Sequence, residues 1–536
     1  MNDRGNGMDY FEKLSGAGVQ PRYLGVYATQ AALDAEWPAS SLGNGMKGST
    51  ATVAGTQKTW GGSAVGWKAV AGGKNVLRWF ANRKRQGVLD VMPTPPTVTS
   101  GATATLAKEL DGVAVISGMK SGLTRVSRFG LITPYSGDPT TTAYDGTRGL
   151  GVGGMPGAVQ TIGSGFIGMI HYGQNIEFKF WTNTDGIGAY SRVMFGVDDG
   201  NGIKWTSASA AYLTPESGNV FYKLAFSTIA KRTIYVTGAS RLSAIYGDAN
   251  DVLVPAPRVG PRTMFVTDSF GGPTAMTTLN NGYFAYPRFF ANALGMNDVN
   301  QGSMGGSSWQ SSDYRNINLR IDYDIAPANP DLIIFGLGRN DNGGLQKSVV
   351  DNALDYCIQK CPNAAIVVLG MMWDDGPEYW TAGNIEAYNA IKNSALERSL
   401  PYIDTMQIPE TSSCNAWTAG CTLGASASIG ATSLTVTKPL STGMAIQIDS
   451  EICFITAVSA ATVTISKALT SAHANGAAIT ILGVPLVTGN GYNYTGTGSA
   501  AKMFGADNTH PTDEGNIMYG EYYAQALVEY CTRMFS

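Results

Sequence analysis

A chain of 536 residues exceeds what one hydrophobic core can serve, and three or four domains are expected. Charged residues make up only 14%, glycine reaches 67 and the formal net charge is -3, so there is no clustering of Lys and Arg suited to nucleic acid or an anionic membrane surface. The opening stretch MNDRGNGMDYFEKLSG lacks the apolar centre of a signal peptide and no run approaches a membrane span, which predicts a soluble protein that does not use Sec-type export.

Residues 1–85 carry YLGVYATQAALDAEWPASSLGNGMKGSTATV and then KTWGGSAVGWKAV, the pattern of a short helix followed by small strands with Gly turns. In composition this stretch is similar to modules near the N-termini of phage tail fibre and tailspike proteins. The resemblance implies a place on the virion, contact with other tail proteins and, by class, a homotrimer, although no coiled-coil heptads occur. The basic run RWFANRKRQG, Arg78 to Gly87, reads as a solvated helix end. Residues 86–125, with VMPTPPTVTSGATAT, read as a linker. In residues 126–258, runs such as NIEFKFWT, VFYKLAFST and KRTIYVTGA alternate with period two between Gly, Asn and Asp turns, which predicts an antiparallel, jelly-roll-like β-sandwich. It resembles accessory domains beside some carbohydrate esterases, which implies a glycan-binding or orienting role.

The pattern changes at Pro261. RTMFVT, DLIIFGLG and AAIVVLGMMW are apolar throughout and alternate with helical stretches, as in a parallel sheet covered on both faces. Residues 259–424 and 484–536 are expected to form this α/β domain. Between them, residues 425–483 show only short strands and turns and are read as an inserted β-domain. It resembles a small β-module of phage structural proteins through ATSLTVT, IQIDSE and AHANGA. Of the six cysteines, Cys357 and Cys361 have no histidine partners at metal-ligand spacing, and structural or free thiols are expected rather than a metal site. A disulfide between Cys414 and Cys421 is left open by their spacing.

The stretch FVTDSFGG puts Ser269 directly behind an apolar strand, where it is either a turn residue or a nucleophile. Functional groups of an open α/β sheet gather at the carboxyl ends of its strands. Three further stretches are expected on that rim: NQGSMGGSSW from Asn300, GLGRND from Gly336, and DNTHP from Asp507. A serine hydroxyl needs a base, and the chain has three histidines. His171 reads as a satisfied strand histidine and His473 lies in the inserted module. His510 alone has an aspartate three residues earlier, Asp507, able to fix its tautomer.

In these four blocks and their order the chain resembles the SGNH, or GDSL-type, hydrolases. The resemblance implies a flavodoxin-like three-layer fold, Ser269 as nucleophile, His510 and Asp507 as its partners, and an oxyanion hole built by Ser269, Gly305 and Asn340. Thr267 stands where the family usually has glycine. Asp268 and Asp341 read as turn and helix-start residues. Trp309, Trp373, Tyr379 and Trp380 fall in the predicted rim loops, either as loop packing or as a platform for pyranose rings. The expectation is a serine esterase without metal or organic cofactor that removes O-acetyl groups from bacterial surface polysaccharide, capsule or O-antigen. Two rivals remain: a lipase or thioesterase, and a structural, receptor-binding tail protein with a vestigial hydrolase domain.

Overall fold

The computed structural model describes the chain from residue 74 to 535 except for 130–165, 273–284, 408–420 and shorter breaks, together with four short strands nearer the N-terminus. Those four, Tyr23–Tyr27, Thr50–Val53, Thr56–Trp60 and Trp67–Ala69, form one sheet in sequence order. The helix expected between the first two lies outside the described residues.

A short helix, α1 (Lys74–Arg78), follows. The basic run falls at its end as expected, with Arg78 and Lys84 exposed, but its apolar residues are buried rather than solvated, so a boundary at residue 85 would cut off part of a shared core. Leu77 and Phe80 are buried in the core of the α/β domain, Arg83 donates from Nε to the Leu294 carbonyl at 3.0 Å, and its guanidinium lies 3.6 Å over the Trp79 ring. The charges are real but they ride on an apolar face, as long basic side chains commonly do.

The linker expected at 86–125 is also corrected. It supplies two strands, β1 (Thr97–Gly101) and β2 (Lys108–Gly112), to the sheet that follows. That sheet is built on two long strands, β3 (Phe166–Thr182) and β5 (Gly218–Gly238), paired antiparallel with a register shift between Gly173 and Asn175. One half of the pair is flanked by β4 (Arg192–Asp198) and β7 (Val252–Pro255), the other by β1 and β6 (Arg241–Gly247). The two halves enclose one core, in which Phe178 from one half stacks on Phe195 from the other at 5.2 Å. The result is an antiparallel sandwich whose layers share two strands, with the bend placed where the ladder shifts. His171 is buried here, its Nε2 3.1 Å from Asp251 Oδ2, and burial pushes its pKa down.

The α/β domain has five parallel strands: β8 (Thr263–Thr267), β9 (Val299–Ser303), β10 (Leu332–Gly336), β11 (Ala365–Leu369) and β12 (Tyr402–Ile403). Their order across the sheet is β9-β8-β10-β11-β12, the flavodoxin-like arrangement, with the reversal of direction at β8. The first four strands are buried along their whole length; β8, β10 and β11 accordingly show apolar runs, whereas β9, VNQGS, buries polar side chains. Side chains still alternate. Phe265, Ile334 and Val367 face α2 (Tyr286–Leu294) and the last helix, α6 (Asp513–Phe535). Met264, Val266, Ile333, Phe335 and Val368 face α3 (Ile317–Arg320, continued to Ala328), α4 (Lys347–Lys360) and α5 (Ala382–Glu397). The sandwich joins the first of these cores through Met194, Ile203, Trp205 and Tyr235. Asn297 pins the junction, donating to the Pro257 carbonyl at 3.0 Å and accepting from Val259 N at 2.8 Å.

After β12 the chain enters the small β-domain through β13 (Met406–Gln407) and leaves it through β14 (Ile479–Pro485), which pair antiparallel as a neck. The domain has its own core, which begins at Cys421 and Leu423 rather than at residue 425, and its closing strand runs two residues past 483. Cys421 is a buried free thiol in that core. His473 is clasped by Asp449 at 2.8 Å from Nδ1 and Glu451 at 3.1 Å from Nε2.

Candidate active site

The carboxyl ends of β8, β9 and β10 lie side by side, and three sequence blocks follow from them. β8 ends at Thr267, and residues 269–271 make one 3-10 turn. Asp268 caps that turn by accepting from Phe270 N at 2.8 Å, so the polar turn residue of the sequence does the usual local work of an aspartate. Ser269 is thereby held half-buried just beyond the strand. Thr267 donates its hydroxyl to Ser303 Oγ at 2.9 Å across the sheet. A Cβ on Gly271 would lie 2.0 Å from that Thr267 hydroxyl oxygen, so this turn admits glycine alone.

Beyond β9, Gly305 opens to free space. A Cβ built there meets nothing within 4 Å, and its N–H finds no acceptor among the described residues. Beyond β10, Asn340 donates from Nδ2 to the Ser307 carbonyl at 2.9 Å and, more weakly, to Asp268 Oδ2 at 3.4 Å. Asn340 thus reaches across β8 to the loop after β9. Asp341 is buried and accepts from Trp309 N and Gln310 N, fixing that same loop; burial pushes its pKa up to about 6.

The fourth block arrives from the far end of the chain. His510 Nδ1 and Asp507 Oδ2 are 2.6 Å apart, and the other Asp507 oxygen accepts from the backbone amides of Thr509 and His510. Partial burial works to raise the Asp507 pKa, but these bonds prevail and hold it below the usual carboxylate value. The His510 ring packs 6.1 Å from the ring of Phe270, the residue after Ser269. No hydrogen bond joins Ser269 to His510 in this structure; such bonds often tighten only when substrate arrives. The loop is anchored by Asn516 in the first turn of α6, which donates to the carbonyls of Pro511 and Thr512 at 3.0 Å and accepts from Tyr286 N at 2.9 Å.

Several contributors were not singled out from the sequence. Arg320 is wholly buried, donating to Thr267 O at 3.0 Å, Gly302 O at 2.5 Å and Ser307 Oγ at 3.4 Å, and pairing with Asp324. It therefore ties the ends of β8 and β9 to the loop that Asn340 touches. Its only sequence signal was the i,i+4 spacing to Asp324, which ordinarily marks an exposed helix face. Arg339 pairs with Asp374 at 3.0 Å and lies 4.1 Å over the Trp373 ring.

The tryptophans expected to line the approach are corrected. Trp309 is 1% exposed and packs on Phe335 at 5.4 Å, inside the core rather than on the rim. Trp380 is buried against Tyr388 at 5.5 Å, its indole N–H bound to the Asp375 carbonyl. Only Trp373 is half-exposed, under Arg339, and Tyr379 lies outside the described residues.

No family profile and no curated protein matches the chain. Among solved structures, a protein described as a GDSL-like lipase from Bacteroides ovatus is similar at 11% identity, with 52% of this chain and 85% of the other covered and a TM-score of 0.34. An acetyl xylan esterase from Butyrivibrio proteoclasticus gives 13%, 52%, 87% and 0.34 on the same measures. A family two carbohydrate esterase from Cellvibrio japonicus gives 12%, 59%, 92% and 0.30.

Proposed function

We propose that this protein is a serine esterase of the SGNH type. The observation that carries the reading is the 2.6 Å Asp507–His510 pair seated against Phe270, on the same rim as Ser269, Gly305 and Asn340. Ser269 Oγ attacks the ester carbonyl while His510 Nε2 takes its proton, and Asp507 accepts from Nδ1–H and stabilises the imidazolium. The oxyanion is received by the backbone N–H groups of Ser269 and Gly305 and by the Asn340 amide, each donor contributing about 3 kcal/mol. His510 then passes its proton to the departing alcohol. Water attacks the acyl-Ser269 ester by the same route in reverse and releases the acid. Every step uses side-chain and backbone groups of this chain together with one water.

The substrate reading is O-acetyl groups on a bacterial surface polysaccharide, with the protein carried on a phage tail. Its support is the tail-fibre-like composition of residues 1–85, the tail-type module and the sandwich before the catalytic sheet. The burial of Trp309 and Trp380 removes two of the three tryptophans of the pyranose platform, leaving Trp373.

Ser269→Ala and His510→Ala should each leave no more than a few per cent of 4-nitrophenyl acetate hydrolysis with an unchanged circular dichroism spectrum. Substantial activity in either variant would overturn the assignment. Proton NMR of host polysaccharide should show loss of the acetyl methyl signal with chain length intact. Cleavage of long-chain acyl esters alone would favour the lipase instead.

A further inference from the structure

Asn340 has two amide hydrogens, and both already face acceptors: Ser307 O at 2.9 Å and Asp268 Oδ2 at 3.4 Å. An oxyanion can be served only when one of these bonds is given up. The Ser307 bond is short, and its loop is held in place by Arg320 and by Asp341. The Asp268 bond is long, and its acceptor adjoins the nucleophile itself.

We infer that Asp268 is a positioning residue that gates Asn340: as a carboxylate it holds the second amide hydrogen, and as a neutral acid it releases that hydrogen to the oxyanion. The inference rests on the esterase reading above.

The surroundings make such a change of charge accessible. Asp268 is 1% exposed, with Oδ1 committed to Phe270 N. The charged and titratable groups facing it are Arg339 and Asp341 beyond β10, Arg320 on α3 and the Tyr286 hydroxyl on α2. Burial outweighs the two arginines and pushes the Asp268 pKa up to about 7. Below that value the acid is neutral and Asn340 is free to turn. Above it the carboxylate retains the amide and also sets a negative charge beside the developing oxyanion. His510, by contrast, must be unprotonated to act as base. Activity therefore rises with pH on the acid side and falls again on the alkaline side.

The test is the pH profile of kcat/KM for 4-nitrophenyl acetate, measured on the full chain from about pH 5.5 to 9.5. The unmodified protein should lose about tenfold or more on the alkaline side. Asp268→Asn keeps an acceptor for Phe270 N but carries no charge, and it should hold that loss to about twofold while the acid limb stays. Asp268→Ser, which also keeps an acceptor, serves the same purpose if the Asn variant does not fold. A flat alkaline limb in the unmodified protein, or an unchanged fall in the uncharged variants, overturns the gate while leaving the esterase reading intact. A loss of activity by one factor at every pH marks a purely structural role and overturns it equally. Absence of any Ser269-dependent hydrolysis overturns both readings.

Discussion

Arg320 shows how much of the rim depends on a side chain that touches no reacting atom. Its guanidinium replaces water for the carbonyls of Thr267 and Gly302 and balances Asp324, which is 1% exposed. Removing one partner of a buried pair leaves the other charged and unsolvated, which costs more than the pair itself contributes. Arg320→Met should therefore lower stability by about 3–5 kcal/mol, read as a shift in the denaturant midpoint, and should weaken catalysis further through the Ser307 loop. Asp324→Asn should cost less, because the guanidinium keeps its carbonyl acceptors. The residues expected to do chemistry stood out because candidate nucleophile, base and orienting acid are polar groups at telling positions, and only His510 has an aspartate three residues before it in the sequence. Arg320 was not, since its partners are backbone carbonyls and those leave no mark in a sequence. Trp309 misled for the opposite reason: it follows a Gly-Ser loop as a rim residue would, yet Asp341 takes its backbone N–H and folds its ring into the core.

At the scale of elements, the parallel sheet was legible through the apolar runs of β8, β10 and β11, and the small β-domain as a break in helical patterning. The boundaries were less so. Residues 97–101 are mostly exposed and rich in Thr, Ser and Gly, and residues 108–112 are a short KELDG stretch with only Leu110 strongly apolar, so as outer strands they resemble a linker in composition. Helix α1 was obscured by the basic residues at and after its end, although Val76, Leu77, Trp79 and Phe80 all pack on the core. The small β-domain is tied to the catalytic sheet by its neck, in which Met406 faces Pro485 and Gln407 faces Val484. Residues paired across an antiparallel ladder have Cα atoms about 5 Å apart, so a tight turn can close the neck. Replacing residues 408–483 by an Asn-Gly turn should leave a soluble domain with Ser269-dependent hydrolysis, and insoluble protein would mean that the module supports the sheet directly.

Across the whole molecule, the sandwich and the α/β domain share a core at Trp205, Tyr235 and Met296, whereas the small β-domain packs around its own. Calorimetry should accordingly show one transition for the first two and a separate one for the third. Only the separate one should carry the His473 signature. Burial disfavours the imidazolium there, but Asp449 and Glu451 overcome it and raise the His473 pKa. A raised histidine pKa gives stability that is present below the unfolded value and lost as pH rises through the folded one. The small transition should thus move to lower temperature between about pH 5.5 and 8.5; no movement would mean that the carboxylate clasp does not bear on folding. The neck between β13 and β14 has a further consequence for synthesis. Ser269, Gly305 and Asn340 leave the ribosome before the small β-domain does, and Asp507 and His510 leave after it. During translation the five-stranded sheet at first lacks α6 and exposes the apolar face that Tyr519, Tyr523 and Leu527 later cover. On the esterase reading, the nascent chain then has its nucleophile without its base, and becomes competent only when the His510 loop and α6 dock. That ordering exposes the growing chain to aggregation for as long as the intervening module takes to be made, and on the same reading it keeps hydrolysis silent until His510 and α6 have followed that module.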